Sequence, residues 1–114
     1  YTFEMDEDVI GTYEVIAFVD EINLDSIHKC NEELYVTKMF FIKDGTLIYE
    51  TIDGRVINNL HWTKGRVIDD IYDFTSSIYK IVYKDSHKYL FFEWKNGDYT
   101  YGKRKPKYYV FLKK

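Results

Sequence analysis

Gly11-Thr12-Tyr13-Glu14-Val15 opens a run, residues 12–19, that alternates Tyr13, Val15, Ala17 and Val19 against Glu14, Ile16 and Phe18. A period of two marks a β-strand whose faces meet different surroundings. The same texture continues to the end of the chain. Residues 34–43 read as a second strand, which Asp44-Gly45 turns back into residues 46–51. Asp53-Gly54 leads into residues 55–63, and Lys64-Gly65 into residues 66–69. After a looser connection at 70–76, residues 77–84 place Tyr79, Ile81 and Tyr83 on one face and Lys80 and Lys84 on the other. Asp85-Ser86-His87 turns this strand into residues 88–95, Asn96-Gly97 turns again, and residues 107–113 form the last strand. Asp-Gly and Asn-Gly between alternating runs are strong hairpin signals, because tight hairpin turns need residues that accept positive φ.

About eight strands on short turns, with no crossover long enough for parallel pairing, predict an all-β fold. The expected form is an up-and-down antiparallel β-barrel filling residues 1–114 as one domain. Residues 20–33 interrupt the pattern. They are polar and fit one or two helical turns with Asn23 or Asp25 as cap, which puts a short helical lid after the first strand.

Composition agrees. Aromatics make up 19% of the chain, with Tyr 12, Phe 8 and Trp 2, and such side chains cover a pleated, half-buried surface well. Ala is nearly absent and Gly is only 6, against a helical bundle or a Gly-rich phosphate cradle. A chain of this length buries roughly 65% of its unfolded surface, enough for a core without disulfides. Its lone Cys30 cannot close an intramolecular bridge, which fits either a reducing compartment or an exterior one. No apolar run is long enough to span a membrane and no signal-peptide pattern opens the chain, so a soluble domain without membrane insertion is expected. A start at Tyr1 fits a processed product or a domain cut from a longer protein.

The net charge of −3 is unevenly placed. Residues 1–50 carry 12 acidic and 3 basic side chains, and residues 51–114 carry 7 acidic and 13 basic. In a closed barrel the first and last strands are neighbours, so this asymmetry favours their pairing. Lys103-Arg104-Lys105-Pro106-Lys107 could instead form a basic patch for phosphate or anionic lipid. Nucleic acid is disfavoured by the acidic total and the lack of a recognition motif.

Gly-x-aromatic at the head of the first strand, then a lid and seven more antiparallel strands, resembles the calycins, the lipocalin and fatty-acid-binding-protein group. Their Gly-x-Trp is Gly11-Thr12-Tyr13 here, so Tyr replaces Trp. The resemblance implies that Tyr13 plugs one barrel end, near a basic side chain of the last strand. Trp62-Thr63-Lys64-Gly65, Phe91-Phe92-Glu93-Trp94-Lys95-Asn96-Gly97-Asp98-Tyr99 and Lys105-Pro106-Lys107-Tyr108-Tyr109-Val110 resemble a narrower set, a bacterial lipocalin-like domain. That domain occurs alone or fused to membrane metallopeptidases of the bla-regulator type, which implies fusion to or association with a membrane protein. The His-Glu-x-x-His zinc motif of those peptidases is not in this sequence, so no protease activity carries over.

The residues offer little chemistry. His28-Lys29-Cys30 with Glu32 and Glu33 is the one cluster of metal-ligand types, and it lacks the second half of a zinc site. His61, His87, Asp69 and Asp70 stand in no nucleophilic or acid–base pattern, and no Gly-x-Ser-x-Gly elbow is present. No enzyme, metal or cofactor is expected. Trp62, Trp94, Tyr99 and Tyr101 read either as rim aromatics that could grip a sugar or an acyl chain, or as core and cross-strand pairs. The expected function is a non-enzymatic binding or sensing module for a small hydrophobic or amphipathic ligand in the barrel mouth. Tyr13, Phe40, Trp62, Phe92, Trp94 and Tyr109 are its candidate lining. The alternative is a protein-interaction accessory domain whose barrel is filled by side chains, as an eight-stranded barrel can be.

Overall fold

The computed structural model describes residues 2–26, 34–69, 76–94 and 107–114, without the side chains of Ser26, Asp69, Ser76, Trp94 and Lys107. Eight antiparallel strands follow in chain order: β1 Gly11–Val19, β2 Val36–Phe41, β3 Thr46–Thr51, β4 Val56–Thr63, β5 Arg66–Asp69, β6 Ser76–Lys84, β7 His87–Trp94 and β8 Lys107–Lys113. Each pairs with its neighbour in sequence, and β1 closes on β8, giving the expected up-and-down barrel. Closure runs from Tyr13 opposite Lys113 to Val19 opposite Tyr108. Part of the predicted charge complementarity appears at this seam, where Lys114 Nζ lies 2.8 Å from Glu14 Oε2. Lys38 approaches the same carboxylate from β2 at 3.7 Å. No described helix is long and apolar enough to cross a membrane.

The turns form where the sequence places them. Gly45 holds φ 93° in the β2–β3 turn. The β6–β7 turn achieves the same hand without glycine, with Asp85 at φ 51° and Ser86 at φ 67°. The Asn96-Gly97 turn, the 70–75 connection and the 103–106 part of the basic run lie outside the described residues.

β1 departs from its predicted alternation. The ladder to β8 shifts between Val15 and Ala17, leaving Ile16 as the extra residue of a β-bulge. A one-residue slip exchanges the faces of everything beyond it. Tyr13 and Val15 face the barrel interior, and after the bulge Phe18 does so, while Ala17 and Val19 join a separate cluster on the outer wall. The outer cluster also holds Phe91, Val110, Val82, Tyr89 and Tyr108, and is packed by Ile22 and Leu24.

The connection after β1 therefore differs from a simple lid. Its described part crosses the outside of the wall from β1 over β8 and β7 to β6, where Asp25 pairs with Lys84 at 3.3 Å. A 3-10 turn forms at Leu24–Ser26, and Asn23 caps it by accepting the Asp25 N–H at 2.9 Å. The apolar residues that the bulge turns outward explain the placement, because Ile22 and Leu24 shield them from water.

The interior is sealed at one end. That end carries the start of β1, the turns β2–β3, β4–β5 and β6–β7, and the end of β8. Residues 2–10 lie across it. Thr63 Oγ1 accepts the Glu4 N–H at 2.7 Å, and the Glu4 carbonyl accepts the Lys64 N–H at 2.9 Å. The Tyr79 hydroxyl donates to Asp6 Oδ2 at 2.7 Å. Phe3 meets Trp62 edge-on with ring centroids 5.2 Å apart. Tyr13 is 0% exposed, and its hydroxyl donates to the Val9 carbonyl at 2.7 Å. Lys113 Nζ sits 6.0 Å from the Tyr13 ring centroid. Tyr13 is thus buried at one barrel end beside a last-strand cation, as the Gly-x-aromatic resemblance implies. Gly11, at φ 136°, leaves room for the Lys113 side chain; a Cβ there would collide with Lys113 Cε. Trp62, Tyr13, Phe41, Phe111, Met39, Leu47 and Leu90 are all fully buried. Each such side chain contributes about 1.5–3 kcal/mol by leaving water.

Candidate functional site: the barrel end opposite the N-terminal segment

The opposite end carries the end of β1, the start of β2, the β3–β4 turn, and the strand termini that flank 70–75 and 95–106. Several interior side chains near it are only partly buried. Phe18, next to last in β1, and Tyr49, in the second half of β3, are only half-buried, as is Leu60 in the middle of β4. Below them Phe92 and Tyr109 are 4% exposed and sit directly opposite one another across β7 and β8. Tyr109 meets Phe18 in a tilted contact with centroids 4.8 Å apart and stacks on Phe111 at 5.9 Å. Its hydroxyl accepts the Val36 N–H at 3.5 Å. The arrangement is an aromatic floor with partly accessible aromatic and aliphatic walls.

The six predicted lining residues separate into three groups. Phe92 and Tyr109 face this interior, and the backbone of Trp94 ends β7 at the same end, its side chain lying outside the described part. Tyr13 and Trp62 are at the sealed end. Trp62 is 0% exposed and donates its indole N–H to the Ile42 carbonyl at 2.8 Å, so it is a core residue and not a rim aromatic. Phe40 lies on the outer face, between the inward Met39 and Phe41 and opposite Thr12 and Ile48. Beyond the register shift between Val36 and Lys38, regular alternation with Met39 and Phe41 sets that direction. Phe18, Tyr49 and Leu60, which the sequence does not single out, face the interior toward this end. Tyr99, Tyr101 and the His28–Cys30–Glu32–Glu33 cluster lie outside the described residues. Among the described residues, no group of three or more His, Cys, Asp or Glu is placed to hold a metal ion.

The rim beside Tyr49 is polar and ordered by hydrogen bonds. In the β3–β4 turn, Arg55 donates from Nε to Asp53 Oδ2 at 3.0 Å and from Nη2 to the Tyr35 hydroxyl at 2.6 Å. Its guanidinium carbon is 5.8 Å from the Tyr35 ring centroid. Thr51 Oγ1 donates to the other Asp53 oxygen. That bond, followed by the Arg55 contact, holds the Asp53 carboxyl below its usual range. Asp53, then Tyr35 and Tyr49, push the Arg55 guanidinium further up. The Ile52 N–H donates to the Tyr35 carbonyl at 2.8 Å, tying the start of β2 to this turn. Ile52 and Val56, on either side of it, are 48% and 61% exposed.

A second depression is outside the barrel. It is an open groove of about 630 Å³ between the 22–25 segment and β6, lined by Ile22, Leu24, Lys80, Val82 and Lys84 among others.

No family model matches the sequence, and comparison with curated proteins and with solved structures returns no match.

Proposed function

We propose that the protein is a non-enzymatic binding or sensing module of lipocalin-like type, which takes a small hydrophobic or amphipathic ligand through the open end of its barrel. The observation that carries this reading is the difference between the two ends. Residues 2–10 cover one with a net of hydrogen bonds over the fully buried Tyr13, Phe41 and Trp62. Toward the other, inward-facing Phe18, Tyr49 and Leu60 keep part of their surface in contact with water. Apolar and aromatic surface inside a concave wall gains free energy when a ligand displaces that water. The filled lower half limits the ligand to one that occupies the upper barrel, so a short acyl chain or a single ring system suits it better than a long chain.

Titration with N-phenyl-1-naphthylamine, medium-chain fatty acids and short oligosaccharides tests this, with melting temperature as a second readout. A saturating apolar ligand at 100 times its dissociation constant is expected to stabilise the fold by about 2.7 kcal/mol. Oligosaccharides are expected to give no shift. Lack of response to every apolar ligand would reject the binding module and favour an interaction domain working through surface residues such as Ile52 and Val56.

A further inference from the structure

We infer that Arg55 is the head-group anchor of this mouth, so that the ligand is an amphipath with an anionic oxygen head, a carboxylate or a phosphate, and not a neutral lipid. The inference rests on the proposed binding at the open end and adds which chemical class binds there.

Three observations converge on Arg55. First, it is aimed: the Asp53 carboxylate takes Nε, the Tyr35 hydroxyl takes Nη2, and the Tyr35 ring lies 5.8 Å from the guanidinium carbon. Fixing a long side chain in advance removes much of the entropy cost of using it. Second, Asp53 is occupied on both oxygens, by Thr51 and by Arg55, so it serves as a holder. A guanidinium has five N–H donors, and no hydrogen bond within the described residues uses Nη1. A planar fork with free donors matches the two oxygens of a carboxylate or phosphate. Third, the cation adjoins the apolar interior. Tyr35 and Tyr49 both pack against the barrel core, and the Tyr35 ring lies against the Arg55 guanidinium. An amphipath with its tail on Phe18, Tyr49 and Leu60 would bring its head to this rim. The exposed Ile52 and Val56 extend the apolar surface around it.

Asp53 offsets part of the positive charge and the site is open to solvent, so the selectivity is moderate. The test compares decanoate, decyl phosphate and decanol as competitors of N-phenyl-1-naphthylamine, an uncharged dye, on the wild type, Arg55→Gln, Arg55→Lys and Tyr35→Phe. The expected result is that dye and decanol affinities stay within about twofold in every variant. Decanoate weakens about tenfold in Arg55→Gln and by less in Arg55→Lys and Tyr35→Phe, in line with loss of a charge-assisted hydrogen bond. The preference for decanoate over decanol also shrinks at about 1 M salt. Decyl phosphate weakening in parallel identifies a general oxyanion site, and decanoate weakening alone identifies a carboxylate site; either outcome supports the anchor. Unchanged decanoate affinity in Arg55→Gln, with the dye still bound, overturns the anchor and leaves the pocket standing. A fall of dye and decanoate together, at unchanged melting temperature, assigns Arg55 to pocket shape and overturns it as well. No dye binding to the wild type rejects the pocket itself and the anchor with it.

Discussion

Replacing Tyr13 tests how the sealed end is built. The side chain has no exposed surface, meets Phe41 edge-on with centroids 5.7 Å apart, and donates to the Val9 carbonyl at 2.7 Å. Two substitutions separate these contributions. Tyr13→Phe keeps the ring and deletes the hydroxyl, leaving the Val9 carbonyl without that donor, which costs about 1–2 kcal/mol. Tyr13→Ala also removes the ring from a site walled by the barrel and by residues 2–10. Cavity formation in such a place costs about 3–5 kcal/mol. Against a total of about 5–15 kcal/mol, Tyr13→Ala is expected to leave a marginal protein. Urea unfolding followed by circular dichroism gives both values, provided the slope with denaturant is unchanged between variants. A loss under about 1 kcal/mol for Tyr13→Ala, or equal losses for the two variants, would refute the plug and its hydrogen bond.

Alkaline pH is expected to act on the same end. Burial, with help from Tyr83 and Asp6, raises the Tyr13 phenol well above its ordinary value of 10.0, and burial followed by the Asp6 hydrogen bond does the same for Tyr79. A raised folded value means stability is intact below pH 10 and falls as pH rises beyond it; the fall is expected to be shallower in Tyr13→Phe and Tyr79→Phe, as measured by urea midpoints from pH 8 upward. Ser86→Gly is expected to stabilise the protein by about 0.5–1 kcal/mol, because a left-handed non-glycine residue costs more than the chain entropy of glycine; destabilisation would contradict the turn geometry. On the outer wall, Leu24→Ala is expected to cost about 1 kcal/mol and Lys84→Ala under about 0.5 kcal/mol, since apolar cover and not the exposed ion pair holds the 20–26 segment. Deleting residues 2–8 is expected to expose Trp62, raising acrylamide quenching of its emission in a Trp94→Phe background.

Most of the barrel was legible in the sequence because its signals are local. Strand alternation, with the turn residues at Asp44-Gly45, Asp53-Gly54 and Lys64-Gly65, located β3, β5 and β8 to the residue and the other strands to within about two. Closure followed from the number of strands and the charge of the two halves, and Glu14 with Lys114 realises part of it. The bulge at Ile16 was not legible as such. Its trace is the unbroken apolar stretch Val15-Ile16-Ala17-Phe18-Val19, which a one-faced strand has no reason to carry. That stretch foretells both the inward Phe18 and the outer cover by Ile22 and Leu24.

The site was less legible than the fold. Which aromatic lines the mouth depends on strand tilt and register across the barrel, and neither is a property of one strand. Trp62 looks like a rim aromatic in sequence, yet residues 2–10 fold across it and across Tyr13. Phe40 and Phe41 are equivalent by composition, and only pairing with Leu47 and Ile48 sends one inward and the other out. In sequence Arg55 reads as no more than the first residue of a strand. Its relation to Tyr35, twenty positions away, arises only when the start of β2 meets the β3–β4 turn.

The central claim is that ligand enters the end opposite the N-terminal segment and rests on the aromatic floor. The most direct measurement is a methyl and aromatic carbon–proton NMR titration of the intact protein with N-phenyl-1-naphthylamine. Saturable shifts are predicted for the Leu60 and Leu34 methyls and for the Phe18 and Tyr49 rings, with Val9 and Leu47 at the sealed end and Val110 on the outer wall unmoved. Shifts confined to Leu24, Val82 and their outer-wall neighbours, or no saturable shift at all, would contradict it.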